Sequence, residues 1–517
     1  MKIIGICLVF FLGPVIIQSQ NPGDLDPAFG EGGIQLISWA SHGADLFGMD
    51  IQEDERLVAA GYRLDYGTGK QDILAVRLSP SGPLEPFGNN INFFQNNFND
   101  LELATVIKVL PDGKILMAGS YSMEGYPFVT RLLQDGTVDP TFGVMGTYVT
   151  EAFSFVPICL SLVSTTEGYH ILMGGYSMDF IPSLFMLDQD AIPVSSFGTD
   201  GRFTFPLLQG VFRDLAVDQQ AGVLYTCGFD PMGTVGFATK HELSSGNLIS
   251  GFGEGGYIKI QPFGDALSFA FRALVFSKEQ EQLCLFGSYL HVAGDYDMCA
   301  YRIQSGSGGP DLTFGINGWS VLRQPVTSES LFDAVGQSDG KYYFGGDQQI
   351  EFINMYMIGR INGNGFLDPE FGTNGLVFTE IHRNNYLRKI VLNPNETRIF
   401  AGGLAEHAMA KEMAVASYFT GYSTGIKSSS RIASATVFPN PASDRIWIDL
   451  NLHDRLLLTI SLCLPDGRRV YQLPAAMYTG GSHVVEILFP ATMKSNLYFL
   501  SIESQGDILL KKIIIDR

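Results

Sequence analysis

The feature that most constrains this chain is a Phe-Gly pair that recurs at Phe29, Phe87, Phe142, Phe197, Phe252, Phe314 and Phe371. The gaps between copies are 58, 55, 55, 55, 62 and 57 residues. Such spacing marks one supersecondary unit used repeatedly, each copy burying its apolar face against the next. Six copies continue as Phe-Gly-x-x-Gly, ending at Gly33, Gly146, Gly201, Gly256, Gly318 and Gly375. The copy at Phe87 departs, running Gly88-Asn89-Asn90-Ile91. Asp-Pro precedes the pair at Asp26-Pro27, Asp139-Pro140 and Asp368-Pro369.

Two further landmarks fall between the copies in constant order. One is an apolar run closing on Gly, at Gly61, Gly119, Gly174, Gly228, Gly287, Gly345 and Gly402. A turn precedes it, as in Pro111-Asp112-Gly113-Lys114 and Ser338-Asp339-Gly340-Lys341. The other is an apolar run carrying Arg: Leu74–Leu78, Phe128–Leu132, Cys299–Ile303 and Met357–Ile361, with looser copies at Leu184–Leu187, Phe237–His241 and Val415–Phe419. Asp-Gly between apolar runs signals a hairpin. Four short strands per unit, repeated seven times, predict an all-β chain whose main body is a seven-bladed β-propeller. The chain opens with the end of a unit, Asp24 to Phe29, followed by the first strand of the next near Ile34–Ser38, and the last unit lacks a following Phe-Gly, the piece present at the N-terminus. First and last segments are therefore expected to close one ring and remove the open edge.

The repeated residues read as scaffold. Asp accepts backbone N–H bonds in a turn, Pro fixes φ and Gly supplies φ > 0. Each Phe is expected to plug the space between neighbouring blades. A metal-ligand role for Asp26, Asp139, Asp311 and Asp368 is the alternative. Arg77, Arg131, Arg302 and Arg360 fall in the strand predicted to be outermost, where charge discourages edge pairing; anion binding is the alternative there.

Residues 1–19 read as a secretory signal peptide: Lys2, then an apolar stretch from Ile3 to Ile17, then Gln18-Ser19 at a plausible cleavage point. No later stretch is long and apolar enough for a spanning helix. The formal net charge of −20 and the lack of a basic run argue against a nucleic-acid partner. Besides Cys7, five cysteines are scattered without CxxC spacing, which is neither a disulfide framework nor a zinc site. Cys227 and Cys284, in apolar strand-like runs, read as buried free thiols, with a single disulfide bridge as the alternative. The eight histidines are dispersed; His42 and His382 fall in loops where a ligand site is conceivable. No GxSxG, P-loop, HExxH or dinucleotide fingerprint occurs. No catalytic residue and no cofactor is assigned, and a divalent metal is left open.

After Phe419 the repeat stops, and a Gly/Ser/Thr-rich linker follows. From 435 onward, six or seven short strands in about 80 residues suggest a small β-sandwich. The expected division is a leader at 1–19, the propeller at 20–420, a linker at 421–434 and the tail domain at 435–517.

The run Lys108–Gly119, with Phe128–Leu132 and Gly136–Gly143, resembles the delta-60 repeat of exported bacterial propellers. The likeness covers roughly residues 24–420, is weakest in the fourth unit and implies a fold more than a function. The tail resembles the C-terminal sorting domain of the type IX secretion system of Bacteroidetes. The opening Val437-Phe-Pro439-Asn440-Pro441-Ala-Ser-Asp444, the turn at Asp466-Gly467-Arg468, the strand around Tyr498, Gly506 and Lys511 carry that likeness. It implies the type IX machinery as partner and a secreted or outer-membrane-surface location. Asn496-Leu497 stands where the family usually has Gly. The functional expectation is a binding module for an unknown glycan or protein. The alternative is a propeller enzyme, a metal-assisted lactonase or polysaccharide-cleaving, with its site at the channel mouth; fold alone does not decide between them.

Overall fold

The computed structural model describes residues 21–515 apart from 90–91, 97, 99–100, 206–208, 262–263, 265, 293, 325–326, 408–409, 423–431, 453–455, 465–468, 491–492 and 505–506. The expected leader at 1–19 therefore lies outside the described residues. Two compact units divide after Tyr422. Among the described residues every regular element is a β-strand.

In the first unit, four antiparallel strands at a time form a sheet in chain order, and the last two groups are joined by one parallel pairing, Asn354 to Asn384, into an eight-stranded sheet. The second sheet is typical: Glu102–Val109, Ile115–Tyr121, Tyr126–Leu132 and Thr147–Val149 run from inner to outer. The other inner strands are His42–Ile51, Val156–Thr165, Val211–Asp218, Ala266–Ser277, Ser328–Gly336 and Asn384–Leu392. The last sheet takes its outer strand from the other end of the unit. Ile34–Ile37 pairs antiparallel with Ala410–Phe419, with Ile34 opposite Ala416 and Ile37 opposite Met413. Phe29 then joins Leu46, Leu74, Phe400 and Met413 in one core, so the first and last sheets pack together.

This corrects the phase of the predicted unit. The run after Phe-Gly-x-x-Gly is not the first strand of a new sheet but the outer strand of the preceding one. Thr147–Val149 pairs back on Phe128–Thr130. The Arg-bearing strand is consequently third, not outermost. The outer strands have only three or four residues, too few for alternation to reveal them.

The plug role of the phenylalanines holds. All seven are at most 1% exposed. Phe87 lies in a core made by the first and second sheets, Phe142 by the second and third, and Phe314 by the fifth and sixth. A fully buried Phe contributes roughly 1.5–3 kcal/mol through lost water contact.

Arg131, Arg302 and Arg360 are buried and Arg77 is half-buried, and the partner of each is the acid eight or nine residues later. Arg131 Nε lies 2.8 Å from Asp139 Oδ2, Arg302 Nε 2.8 Å from Asp311 Oδ2, and Arg360 Nε 2.9 Å from Asp368 Oδ2. Arg77 meets Glu85 at 3.1 Å in the same way. Each guanidinium covers the plug ring, 4.8 Å from Phe142 for Arg131 and 4.5 Å from Phe314 for Arg302. Each also donates into the next unit: Arg131 Nη1 to the Gln189 carbonyl at 2.7 Å and Arg302 Nη1 to the Gly363 carbonyl at 2.5 Å. The repeated Asp, Phe and Arg are thus one clamp between neighbouring sheets. Where the acid is missing, as at Val194, the position hydrogen-bonded to it is Met186. In the last sheet Ser417 replaces the Arg, and Arg398 reaches Asp26 instead, at 3.2 Å.

The second-strand glycine is required by a close approach. A Cβ on Gly61, Gly119, Gly175, Gly228, Gly287, Gly346 or Gly403 would fall about 2 Å from an inner-strand carbonyl oxygen. In the Gly-Gly copies it is the second glycine that meets the backbone, not Gly174, Gly345 or Gly402, the positions the sequence pattern singles out. All five described cysteines are free thiols, and Cys159, Cys227, Cys284 and Cys299 are buried.

The second unit holds two sheets. One orders Ile432–Phe438, Arg445–Leu452 and Gly481–Leu488; the other orders Arg469–Gln472, Leu456–Cys463, Asn496–Ser504 and Asp507–Ile515, with Ala476–Tyr478 at the side. Their apolar faces share one core that includes Ile446 and Ile448 from the first sheet and Leu458, Ile460, Leu462, Leu500 and Ile513 from the second.

Candidate functional site

The carbonyls pressed against those glycines lie two residues before β-bulges. Pairing between inner and second strands slips by one residue at Phe47, Thr105, Ile158, Arg213, Arg272, Phe332 and Arg388. A bulge leaves its residue out of the ladder and re-aims its side chain. All seven line one central cavity of about 760 Å³. The scaffold repeats from sheet to sheet, whereas the bulge position holds Phe twice, Thr once, Ile once and Arg three times. The channel therefore has a chemically uneven wall on a regular frame.

Charge is concentrated there. Arg388 Nη2 lies 3.2 Å from Asp45 Oδ2. Lys389 meets Asp333 at 3.0 Å. Burial opposes the Lys389 charge, but Asp333 and Asp214 outweigh it and push its pKa up to about 12. Asp214 accepts from the amides of Leu215 at 2.9 Å and Leu274 at 2.8 Å. Burial pushes its pKa up to about 6, with the Asp333 charge adding to this and Lys389 opposing.

At the end of the channel where the inner strands begin lies a mouth pocket of about 770 Å³. Tyr62, Tyr296 and Tyr386 line it with Asp45, Asp347 and Lys411. Asp347 accepts from the Leu387 amide at 2.6 Å. Burial pushes its pKa up to about 8, against the pull of that amide and of Arg388 and Arg272. Aromatic faces beside a few convergent polar groups suit ligand recognition.

The acids weighed as metal ligands lie elsewhere: Asp139, Asp311 and Asp368 sit in the clamps. His42 Nδ1 contacts the Ala40 carbonyl at 2.9 Å, and His382 Nε2 meets Glu412 at 3.0 Å with the His407 ring 5.1 Å away. Among the described residues no three His, Cys, Asp or Glu side chains converge as a metal ion requires. No helix is long and apolar enough to cross a membrane among the described residues.

In the second unit, Asn440 Oδ1 accepts from the Ile514 amide at 2.9 Å, and Ala442 N donates to the Ile514 carbonyl at 2.9 Å. The opening segment is thereby tied to the last strand. Pro439 and Pro441 both follow cis peptide bonds and are exposed. Tyr498 is buried, with its hydroxyl donating to the Lys494 carbonyl at 3.0 Å. Lys511 is exposed opposite Leu500. Asp466, Gly467 and Gly506 lie outside the described residues.

Sequence reasoning missed the bulge ring because its position holds four residue types across seven copies and so gives no shared landmark. One signal was available: Phe47 precedes Gly61 by 14 residues, Arg213 precedes Gly228 by 15, and Arg388 precedes Gly403 by 15.

Residues 110–142 match the family model of a β-propeller domain of unknown function. Residues 436–516 match that of a secretion system C-terminal sorting domain. The search of curated proteins found no match. Among solved structures, the β-propeller domain of the trilobed protease of Pyrococcus furiosus, with an open velcro topology, aligns at TM-score 0.38 and 10% identity, covering 74% of this chain and 96% of that one. The periplasmic gluconolactonase of Pseudomonas aeruginosa aligns at 0.34 and 12%, covering 87% and 100%. The acylaminoacyl peptidase of Pyrococcus horikoshii aligns at 0.37 and 10%, covering 79% and 57%.

Proposed function

From a chain that joins a β-propeller domain of unassigned function to a type IX secretion C-terminal sorting domain, and so is exported to the cell surface or secreted, we propose a binding module that takes its ligand at the channel mouth. The bulge ring carries this reading: on one repeated scaffold the seven bulge positions hold four residue types, and all seven line the cavity. The hairpins between second and third strands add exposed apolar side chains, among them Tyr66, Met123, Phe180, Met232 and Phe352.

The proposal includes the finer architecture. Seven blades are supported by the agreement between seven Phe-Gly copies and seven bulged inner strands around one cavity. A β-sandwich tail is supported by two sheets with one shared core. Residues 1–19 would direct the chain across the inner membrane, the motif residues of the tail would be read by the type IX machinery, and the ligand would be a glycan or protein.

The test has two parts. Deleting Val437–Arg517 is expected to stop the chain before the cell surface; arrival of the truncated chain would overturn the sorting reading. Tyr296→Ala with Tyr386→Ala is expected to abolish capture on glycan and protein arrays without lowering the unfolding temperature. Capture that survives these changes would overturn the mouth as the site. A catalytic mouth is a second reading, supported by the raised pKa of Asp347 near Asp45. Turnover of a polysaccharide or lactone that vanishes in Asp347→Asn would favour it.

A further inference from the structure

Three of the seven bulge residues are arginines, and they differ in one respect. Arg388 has Asp45 as its partner. Arg213 and Arg272 make no ion pair or hydrogen bond among the described residues, and their Nε atoms are shut off from solvent without a partner. The neighbouring acids do not supply one: Asp214 is held by two backbone amides, and Asp333 by Lys389 and the Ile390 amide at 2.9 Å.

Two of the three guanidiniums lie over aromatic rings. Arg272 lies 4.7 Å over Phe332, and Arg388 lies 5.1 Å over Phe47. A cation over a ring still has its N–H donors to offer a ligand, and all three arginines line the cavity. The cations also feel one another. Burial, then the charges of Arg213 and Arg388, bring the Arg272 pKa down to about 10. In a protein with a formal net charge of −20, two cavity cations that have only the longer-range pull of Asp214 and Asp347, and no ion-pair partner, are costly unless an anion joins them.

We propose that the channel binds a small polyvalent oxyanion, carrying carboxylate or phosphate groups, between Arg213 and Arg272 with Arg388 as a third donor. The inference rests on the reading of the channel as the ligand site and gives that ligand its chemical class. Planar forks suit bidentate contact with either group. The cavity of about 760 Å³ admits a ligand of several heavy atoms beyond a single ion.

Calorimetric titration of the full mature chain with inorganic phosphate, sulfate and citrate, at fixed ionic strength against a chloride control, tests this. Saturable binding is expected, and preference for citrate or for phosphate separates carboxylate from phosphate recognition. The R213Q/R272Q double variant is expected to lose at least tenfold in affinity, and Lys278→Gln, at an exposed surface cation, to lose none. Arg272→Lys keeps the charge without the fork and is expected to bind more weakly; it serves if the double variant does not fold. No saturable binding of any of the three anions, or equal binding by the Arg272→Lys variant and the parent, overturns the inference. Capture of neutral saccharides at the mouth without oxyanion binding sinks this inference alone; loss of both sinks the binding reading as well.

Discussion

Arg131 and Asp139 face each other at 2.8 Å with side chains 7% and 3% exposed, and the same arginine covers Phe142 and reaches into the next sheet. Burial works against the Asp139 charge. The Thr141 hydroxyl and amide, Lys114 and Arg131 outweigh it and hold this carboxyl well below the usual carboxylate range. Breaking such a buried pair from one side costs about 3–5 kcal/mol, whereas replacing both partners by apolar residues is often neutral. Asp139→Val is therefore expected to lower stability by about 3 kcal/mol in urea unfolding. Adding Arg131→Met, which copies the natural Met186 and Val194 arrangement, is expected to recover most of that loss. A double variant no better than Asp139→Val would contradict the clamp.

Gly345 and Gly346 are adjacent, yet only one is needed by the backbone. A Cβ on Gly346 would lie 1.9 Å from the Ser330 carbonyl oxygen, whereas on Gly345 it would meet side-chain ends of Ile390 and Leu387. Gly346→Ala is expected to lower the thermal midpoint clearly more than Gly345→Ala. Equal effects would remove the bulge as the reason for the glycine.

His241 is buried, with Nδ1 2.7 Å from the Gly246 carbonyl and Nε2 2.6 Å from the Thr239 hydroxyl. That pair of contacts fits a neutral ring donating from Nδ1 and accepting at Nε2. Burial, only partly offset by the Gly246 carbonyl, brings its pKa down to about 4. The folded pKa lies below the unfolded value of about 6.5, so the contribution is full above that value and is lost as pH falls through about 4. The loss amounts to about 3 kcal/mol over that window. His241→Leu is expected to flatten the slope of stability against pH between those limits; an unchanged slope would refute this assignment.

The strand Ile34–Ile37 covers the edge of Ala410–Phe419. Removing residues 21–37 from the mature chain exposes that edge and strips Phe29 from the core between first and last sheets. The truncated protein is expected to unfold at lower temperature and to self-associate, as seen by light scattering. A monomer of unchanged midpoint would mean the ring does not depend on this closure.

Much of the scaffold was legible because it repeats. The Phe plugs, the hairpins and the closing strand follow from seven aligned copies. The pairing of Arg131 with Asp139 was not read, although its eight-residue spacing recurs at Arg77 and Glu85 and at Arg360 and Asp368. The cause was the phase of the unit: three-residue outer strands such as Thr147–Val149 carry almost no pattern, so the arginine strand was placed at an edge. Composition likewise could not tell which glycine of a pair meets a carbonyl. The channel was the least legible part, since Arg213, Thr105 and Phe332 share a position without sharing chemistry.

The division between scaffold and site is tested most directly by the thermal midpoints of Arg131→Met and Arg213→Met, measured in chloride buffer free of polyvalent anions. The two substitutions are chemically identical. Arg131 has a buried ion-pair partner and Arg213 makes no ion pair among the described residues. Arg131→Met is expected to lower the midpoint, and Arg213→Met to raise it by removing an unpaired cation from an enclosed site. A fall of similar size in both would contradict the assignment of the repeated residues to the frame and of the bulge residues to the ligand.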